Sequence, residues 1–485
     1  PGGKSWQISA SAEQGGKPSL FQVGLVADPD IPGKTWPDVL LPLQAPPGAP
    51  VTTREGAPLF PRENRYQIIW VDIPVGEGPA APTTLLATRD GVQKSLIVHI
   101  AVSKGKLAPP PLLIDLNEYG DKYLRHLPGD VDRDGRLAAE QAIYAGIGEH
   151  YGVLNPLPYD SQKGSGRRGM VPRLSNEDLL HPQLDWTEFD RRYQGMLSGA
   201  AMPDGRPIHH FYLPFNPNWP APFALYASDR NRYEAIWAAF ARAFADHFRE
   251  KGWTQTIFQL YCNQKPRDGN DIPWNLDEPK GVDDYRALRY YADLTHRVFA
   301  DAAPVQIAFR MDISHFYCDK HRGEAQKDFR VNGGWEILEP VDIWVISQHS
   351  LKDLPARDKA RQLMAMGREI WEYGDTPRLD EGGSKAAARI YNAWEQGWNG
   401  IMAWRSFSRE MGEDPGQDFI AYAINFGGNE VFVPSIRLKQ LRRAVDDLRV
   451  LESAIGRGQT NQNAVLGRLK SRDVNSGWRE LPVSR

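Results

Sequence analysis

The feature that most constrains this chain is an alternation that occupies residues 109–455. Short apolar runs ending in polar residues are separated by long amphipathic segments. The runs are 112–116, 152–157, 208–213, 257–261, 305–309, 343–346, 369–373 and 401–404. Between them lie segments such as 233–248, where Ile236, Trp237, Phe240, Phe244 and Phe248 share one helical face. Eight strands interleaved with helices predict an α/β chain built on a (β/α)8 barrel of the TIM type with long loops. A doubly wound sheet is the rival, and it needs a ligand fingerprint. The only nucleotide-like match, Gly164-Ser-Gly-Arg-Arg-Gly169, follows no convincing strand and opens no apolar helix, so it reads as a loop.

Residues 1–108 have a different texture, rich in Pro and Gly and without helical periodicity. Alternating stretches at 66–73 and 95–102 read as strands, so this region is expected to be an antiparallel β-sandwich. Leu107-Ala-Pro-Pro-Pro111 reads as the linker out of it. The final amphipathic segment runs from Ser435 to Ile455, with Leu438, Leu441, Val445, Leu448 and Leu451 on one stripe. Residues 456–485 are polar, poorly periodic and expected to form a tail.

Composition removes several function classes. Lys plus Arg number 58 and Asp plus Glu 61, a formal charge of −3, which argues against a nucleic-acid partner. No apolar run reaches the roughly 18 residues of a membrane span, so a soluble chain is expected. The two cysteines, Cys262 and Cys318, allow one bridge at most and no disulfide framework. The sequence opens at Pro1, which a cleaved signal peptide or a removed tag explains equally, and a secreted or periplasmic bacterial location is expected. The 15 Trp, 18 Tyr and 18 Phe suit either sugar faces or core filling.

Barrel chemistry collects at the C-terminal ends of strands. Read there, the sequence offers Asn117, Glu118, His209, His210, Asn216, Asn263, Arg310 and Asp312. Later strand ends add Gln348, His349, Glu372, Tyr373, Trp404 and Arg405. Carboxylates, amides, imidazoles and indoles around one rim suit a sugar better than a phosphate. The sharpest local feature is Trp274-Asn-Leu-Asp277-Glu278-Pro279. Adjacent carboxylates raise each other's proton affinity, which suits glycoside hydrolysis, where one acid must hold a proton. A helix N-terminus explains the same residues equally well, with Pro279 in its first turn and Asp283-Asp284 continuing the acidity.

Several segments together resemble the catalytic domain of family-123 glycoside hydrolases and their relatives. They are the strand-rich lead-in with its Pro-rich linker, Leu276-Asp277-Glu278-Pro279 with the helix 283–299, and Ile370-Trp371-Glu372-Tyr373 followed by 397–404. The last is Val433-Pro434-Ser435-Ile436-Arg437-Leu438, continuing through Asp446-Asp447-Leu448. The resemblance spans most of residues 65–455. It implies a β-sandwich on a (β/α)8 barrel and hydrolysis of β-linked N-acetylgalactosaminides with help from the substrate. Asp277 would then hold the 2-acetamido group while its carbonyl oxygen attacks the anomeric carbon. Glu278 would protonate the leaving oxygen and later deprotonate water. No cofactor is required.

This chain departs from the family pattern in three places. The Asp-Glu pair follows a long loop (263–275), a C-terminal sandwich is missing, and Glu372 stands where an aromatic residue is expected. Glu278 with Glu372 as nucleophile would make a retaining glycosidase of other specificity. A non-catalytic carbohydrate-binding barrel is the third reading. The expected partner is an oligo- or polysaccharide, or a glycoconjugate.

Two metal patterns need weighing. Asp130, Asp132, Asp134 and Gly135 match a calcium loop, but position 12 is Gln141, so Glu140 would have to substitute. A structural calcium there competes with a solvated acidic loop. His315, Cys318 and His321 have zinc-type spacing, with a strand-exit loop as the alternative.

Overall fold

The computed structural model describes residues 7–12, 18–27, 31–42, 68–74, 82–89, 91–100, 106–118, 133–159, 169–266, 271–313, 333–375, 379, 383–404, 407–408, 421–426 and 429–465. The N-terminal region forms six strands: β1 (Gln7–Ala12), β2 (Ser19–Ala27), β3 (Thr35–Pro42), β4 (Ile69–Asp72), β5 (Thr83–Arg89) and β6 (Val92–Val98). They make two antiparallel sheets, ordered β1-β5-β6 and β3-β2-β4, as a β-sandwich requires.

The barrel strands are β7 (Leu113–Glu118) and β8 (Gly152–Pro156), separated by α1 (Arg133–Gly148). A small hairpin, β9 (Arg173–Leu174) and β10 (Leu184–Asp185), precedes α2 (Thr187–Leu197). Then come β11 (His210–Tyr212), α3 (Ala224–Ser228), α4 (Arg230–Glu250), β12 (Ile257–Tyr261), α5 (Val282–Val298), β13 (Gln306–Ile313) and α6 (Gly334–Ile337). The series closes with β14 (Ile343–Ser347), α7 (Leu354–Ala365), β15 (Glu369–Asp375), α8 (Gly383–Gln396) and β16 (Gly400–Trp404). These eight strands pair in parallel in the order β11-β12-β13-β14-β15-β16-β7-β8, and β8 lies against β11. The sheet therefore curls round on itself as a TIM-type barrel.

Local chemistry accounts for the helices. In α4 the Asp229 side chain accepts from the Arg232 amide at 3.0 Å, capping the helix N-terminus. Tyr233, Ile236, Trp237, Phe240, Phe244 and Phe248 then bury one face. Burying such a side chain contributes roughly 1.5–3 kcal/mol, so this stripe rather than helix propensity holds α4 to the sheet. Phe215 and Trp219, in the segment after β11, pack edge-on against Phe244. Trp237, Trp253, Trp344 and Trp371 are fully buried. These aromatic residues fill the core rather than offering faces to sugar.

After β16 the chain forms a feature that periodicity did not show, a three-stranded sheet of β17 (Phe407–Ser408), β18 (Ala421–Phe426) and β19 (Asn429–Pro434). Strand β19 packs on α1 so closely that a Cβ at Gly146 would meet the Phe432 ring at 2.2 Å, which is why that position has no side chain. It leads into α9 (Ile436–Gly456), capped by Ser435 on the Leu438 amide. Helix α9 also anchors the N-terminal region. Arg437 pairs with Asp38 at 2.9 Å, Lys439 with Asp72, and Val39 bridges to Ser435. The linker is pinned as well, because the Ala108 amide donates to Ser453 Oγ at 2.7 Å. Val465, at the start of the expected tail, is buried in the main core. Among the described residues no helix is long and apolar enough to cross a membrane.

Candidate active site

Strand parity decides which side chains enter the barrel. Ala308, Ile343, Val345, Trp371 and Met402 form an inner cluster against which Tyr373 packs. Above it, on the same inner face, a charged group spans the barrel. Arg310 donates to Asp115 at 2.6 Å and to both oxygens of Asp312 at 2.8 and 3.0 Å, and Asn155 donates to Asp115 at 3.0 Å. The Arg310 guanidinium also lies over the rings of Tyr212, Tyr261 and Trp371. Arg310 and Asp115 are both fully buried. Burial raises the Asp115 carboxyl against the opposing pull of Arg310.

Tyr261, the last residue of β12, connects this group to the sequence-predicted pair. Its hydroxyl donates to Asp277 Oδ1 at 2.8 Å. Tyr159, in the segment after β8, braces it, donating to the Tyr261 carbonyl and accepting from the Asn263 amide. The Gln264 carbonyl then accepts from the Leu276 and Asp277 amides, folding the long loop back onto the strand end. Lys265 is thereby placed between the two acids, with Nζ 3.1 Å from Asp277 Oδ2 and 2.9 Å from Glu278 Oε2. Glu278 has φ 57°, a left-handed backbone that is uncommon outside glycine, and its carbonyl accepts from the Asn275 side chain. Burial, opposed by Lys265 and reinforced by Glu278, pushes Asp277 up to about 6.

The capping alternative is realised by different residues. Helix α5 starts at Val282, and Asp284 accepts from the amides of Asn275, Lys280 and Gly281 at 2.9, 2.7 and 3.1 Å. Asp283 and Asp284 occupy the first helical turn, while Asp277 and Glu278 stand before it and face Lys265.

Other expected site residues fall elsewhere. Glu372 has opposite parity to Trp371 and Tyr373 and points outward to α8, where Arg389 lies 3.4 Å away. Its parity puts it on the helix side of the sheet, away from the inner face that carries Trp371 and Tyr373. His210 begins β11 at the strand-starting end, far from the mouth, with its ring edge-on to Trp371. Asn216 is committed to its own turn, donating to the Pro214 carbonyl at 2.8 Å and accepting from the Asn218 amide at 2.9 Å. Arg310 and Asp312 hold each other instead of facing solvent. His349 is exposed beside Lys352. Asn263 is buried at the end of β12, with its side-chain oxygen unpartnered.

Several positions fall outside what is described. Asn117, Glu118 and Trp404 have described backbones at adjoining strand ends, but not side chains. Arg405, Asp130, Asp132, His315, Cys318 and His321 lie outside the described residues. Helix α1 begins at Arg133, so Asp134, Gly135 and Gln141 lie on continuous helix. Glu140, the substitute ligand, is bidentate with Arg192 at 2.8 and 2.9 Å.

Sequence reading passed over Lys265, Tyr261, Tyr159 and Asp115. Asp115 and Tyr261 carried a signal, each being polar at an inward position of a barrel strand. Lys265 carried none, since it sits in a loop whose path only tertiary contacts define.

No protein-family model matches the sequence, and no curated protein is similar to it at a significant level. Among solved structures, the chain is similar to the CBM22-1–GH10 modules of Clostridium thermocellum endo-1,4-β-D-xylanase 10B. The identity is 8%, over 91% of this chain and 84% of that one, with a TM-score of 0.34. Bacillus subtilis mannanase BCman shares 12% identity over 64% of this chain and 83% of its own, with a TM-score of 0.34. Bacteroides uniformis β-glucuronidase shares 10% over 86% of this chain and 48% of its own, with a TM-score of 0.27. Values this low transfer neither substrate nor mechanism, and the barrel stands on its own strand order.

Proposed function

We propose that this chain is a glycoside hydrolase that cleaves β-linked N-acetylhexosaminides of the N-acetylgalactosamine type, using the sugar's 2-acetamido oxygen as the nucleophile. The observation that carries the reading is the placement of Asp277 and Glu278 as adjacent carboxylates beyond the C-terminal end of the fourth barrel strand. Chemistry gathers at that face in TIM barrels. Asp277, anchored by Tyr261, holds the acetamido N–H and balances the positive charge that develops as its carbonyl oxygen attacks C1. Glu278, the more exposed of the two, protonates the departing oxygen. It then takes a proton from the water that opens the cyclic intermediate. Neighbouring acids suffice for this route because no protein nucleophile is needed. The outward turn of Glu372 toward Arg389 favours it over the covalent route. The substrate class is a saccharide or glycoconjugate, the proposed location secreted or periplasmic, and the chemistry calls for no cofactor.

A panel of chromogenic β-glycosides with and without a 2-acetamido group tests this directly. Hydrolysis confined to acetamido sugars, inhibition by a thiazoline mimic of the cyclised intermediate, and a Glu278→Gln loss of at least ~10²-fold in kcat are expected. Equal turnover of sugars lacking the acetamido group would reject substrate assistance. Sugar binding without any turnover would leave a carbohydrate-binding barrel.

A further inference from the structure

We propose that Lys265 is a positioning residue for this carboxylate pair, clamping Asp277 and Glu278 in one fixed arrangement and keeping Asp277 anionic. The mechanistic half of this inference rests on the glycosidase reading; the clamp itself does not.

The geometry supports the assignment in three ways. Lys265 Nζ reaches one oxygen of each acid, Asp277 Oδ2 at 3.1 Å and Glu278 Oε2 at 2.9 Å, so a single ammonium sets the separation of the two side chains. The other Asp277 oxygen is held by Tyr261 at 2.8 Å, which fixes the plane of that carboxylate between two donors. Lys265 is itself placed by the loop, because the adjoining Gln264 carbonyl receives both the Leu276 and Asp277 amides. The main chain carrying the cation is thus tied to the main chain carrying the anions.

Electrostatics say why such a cation is wanted. Asp277 is faced by Glu278 from its own segment, Asp312 from β13, Tyr261 from β12 and Tyr159 from the segment after β8. Arg310, on the neighbouring strand β13, is already held by Asp115 and Asp312. Without Lys265, burial, Glu278 and Asp312 would all push Asp277 further up with no cation in contact to oppose them. Lys265 touches both acids, at 3.1 Å from Asp277 and 2.9 Å from Glu278, so one ammonium offsets the repulsion of holding the two carboxylates side by side.

The test compares wild type with Lys265→Met and Lys265→Arg in the full chain. In kinetics on an acetamido glycoside, the acid limb of kcat/KM should move up by about one pH unit in Lys265→Met. The Arg variant should restore that limb, since it supplies the same charge. A limb that does not move, or an Arg variant no better than Met, overturns the proposal. A second arm needs no turnover: melting temperature against pH for four proteins, namely wild type, Asp277→Asn, Lys265→Met and the double variant. The Asp277-dependent loss of stability should level off near pH 6 in the Lys265 background and continue to higher pH in the Met background. Identical curves in both backgrounds overturn the clamp. If no glycoside is turned over by wild type, the glycosidase reading fails while this thermal arm still decides whether Lys265 governs Asp277.

Discussion

The Tyr261 hydroxyl lies 2.8 Å from Asp277 Oδ1 and donates to it from the last position of a barrel strand, joining the loop that carries Asp277 and Glu278 to the barrel. That hydrogen bond favours the anion and so opposes the burial that raises Asp277. Tyr261→Phe removes the donor and leaves the stacking with Tyr212 in place. The acid limb of kcat/KM should then rise by about one pH unit, the scale of a hydrogen bond to a charged group. A pH–rate profile unchanged from wild type would separate Tyr261 from the site's chemistry.

Asp277 also makes a stability prediction whose sign can be worked out. Its folded pKa is raised to about 6 from an ordinary 3.8, so between those values the folded state binds more protons than the unfolded one. Stability attributable to this group is therefore lost as pH rises from about 4 to about 6, and the loss is complete above that. Asp277→Asn escapes the loss and should be the more stable protein at pH 7, by up to about 3 kcal/mol. Urea midpoints at pH 4 and pH 7 check it: the gap between variant and wild type should open with rising pH. A gap that closes instead would mean the carboxylate is held as an anion by its partners.

Arg310 neutralises two buried carboxylates at once. Arg310→Met leaves Asp115 and Asp312 in the barrel without their shared cation and should cost about 3–5 kcal/mol, the usual result of breaking a buried pair. Chemical denaturation is the measurement. A loss below about 1 kcal/mol would show that the acids accept protons cheaply, and the variant should then become more stable as pH falls.

Glu372 gives the sharpest contrast between mechanisms. Its burial raises its pKa and Arg389 opposes that, both on the helix side of the sheet. Glu372→Gln keeps the shape and an acceptor oxygen, while Arg389 retains the carbonyls of Glu372, Gly374 and Met402. Activity should stay within about twofold of wild type, because no interaction made only in the transition state is removed. Inactivity rescued by azide in a smaller variant would restore the covalent mechanism.

Much of the architecture was legible in the linear pattern. Each of the eight apolar runs corresponds to a barrel strand, and 257–261 matches residue for residue, because a strand covered on both faces is mostly apolar. The segments 233–248 and 435–455 fall on α4 and α9, whose stripes follow the helical repeat. The β17–β19 sheet lies outside the strand–helix alternation, and β19 packs against α1 and β3, segments distant in sequence.

The residues of the site divide differently. Asp277 and Glu278 stood out because two adjacent acids are explicit in chemistry, and that is local information. Which side of a strand enters the barrel is not local. Glu372 and Tyr373 both sit near the end of β15, and only the register that pairs Glu372 with Ile346 and Ile401 turns one outward to Arg389 and the other inward. Asp115 and Arg310, 195 positions apart, meet only because the sheet closes. Lys265 reaches its two carboxylates only because the Gln264 carbonyl holds the Leu276 and Asp277 amides back at the strand end. Periodicity along the chain determines which segments are strands and helices, since each must hide its own apolar face. Curvature and register decide which polar side chains converge, since a charge inside a barrel is stable only where a distant strand supplies its counter-charge.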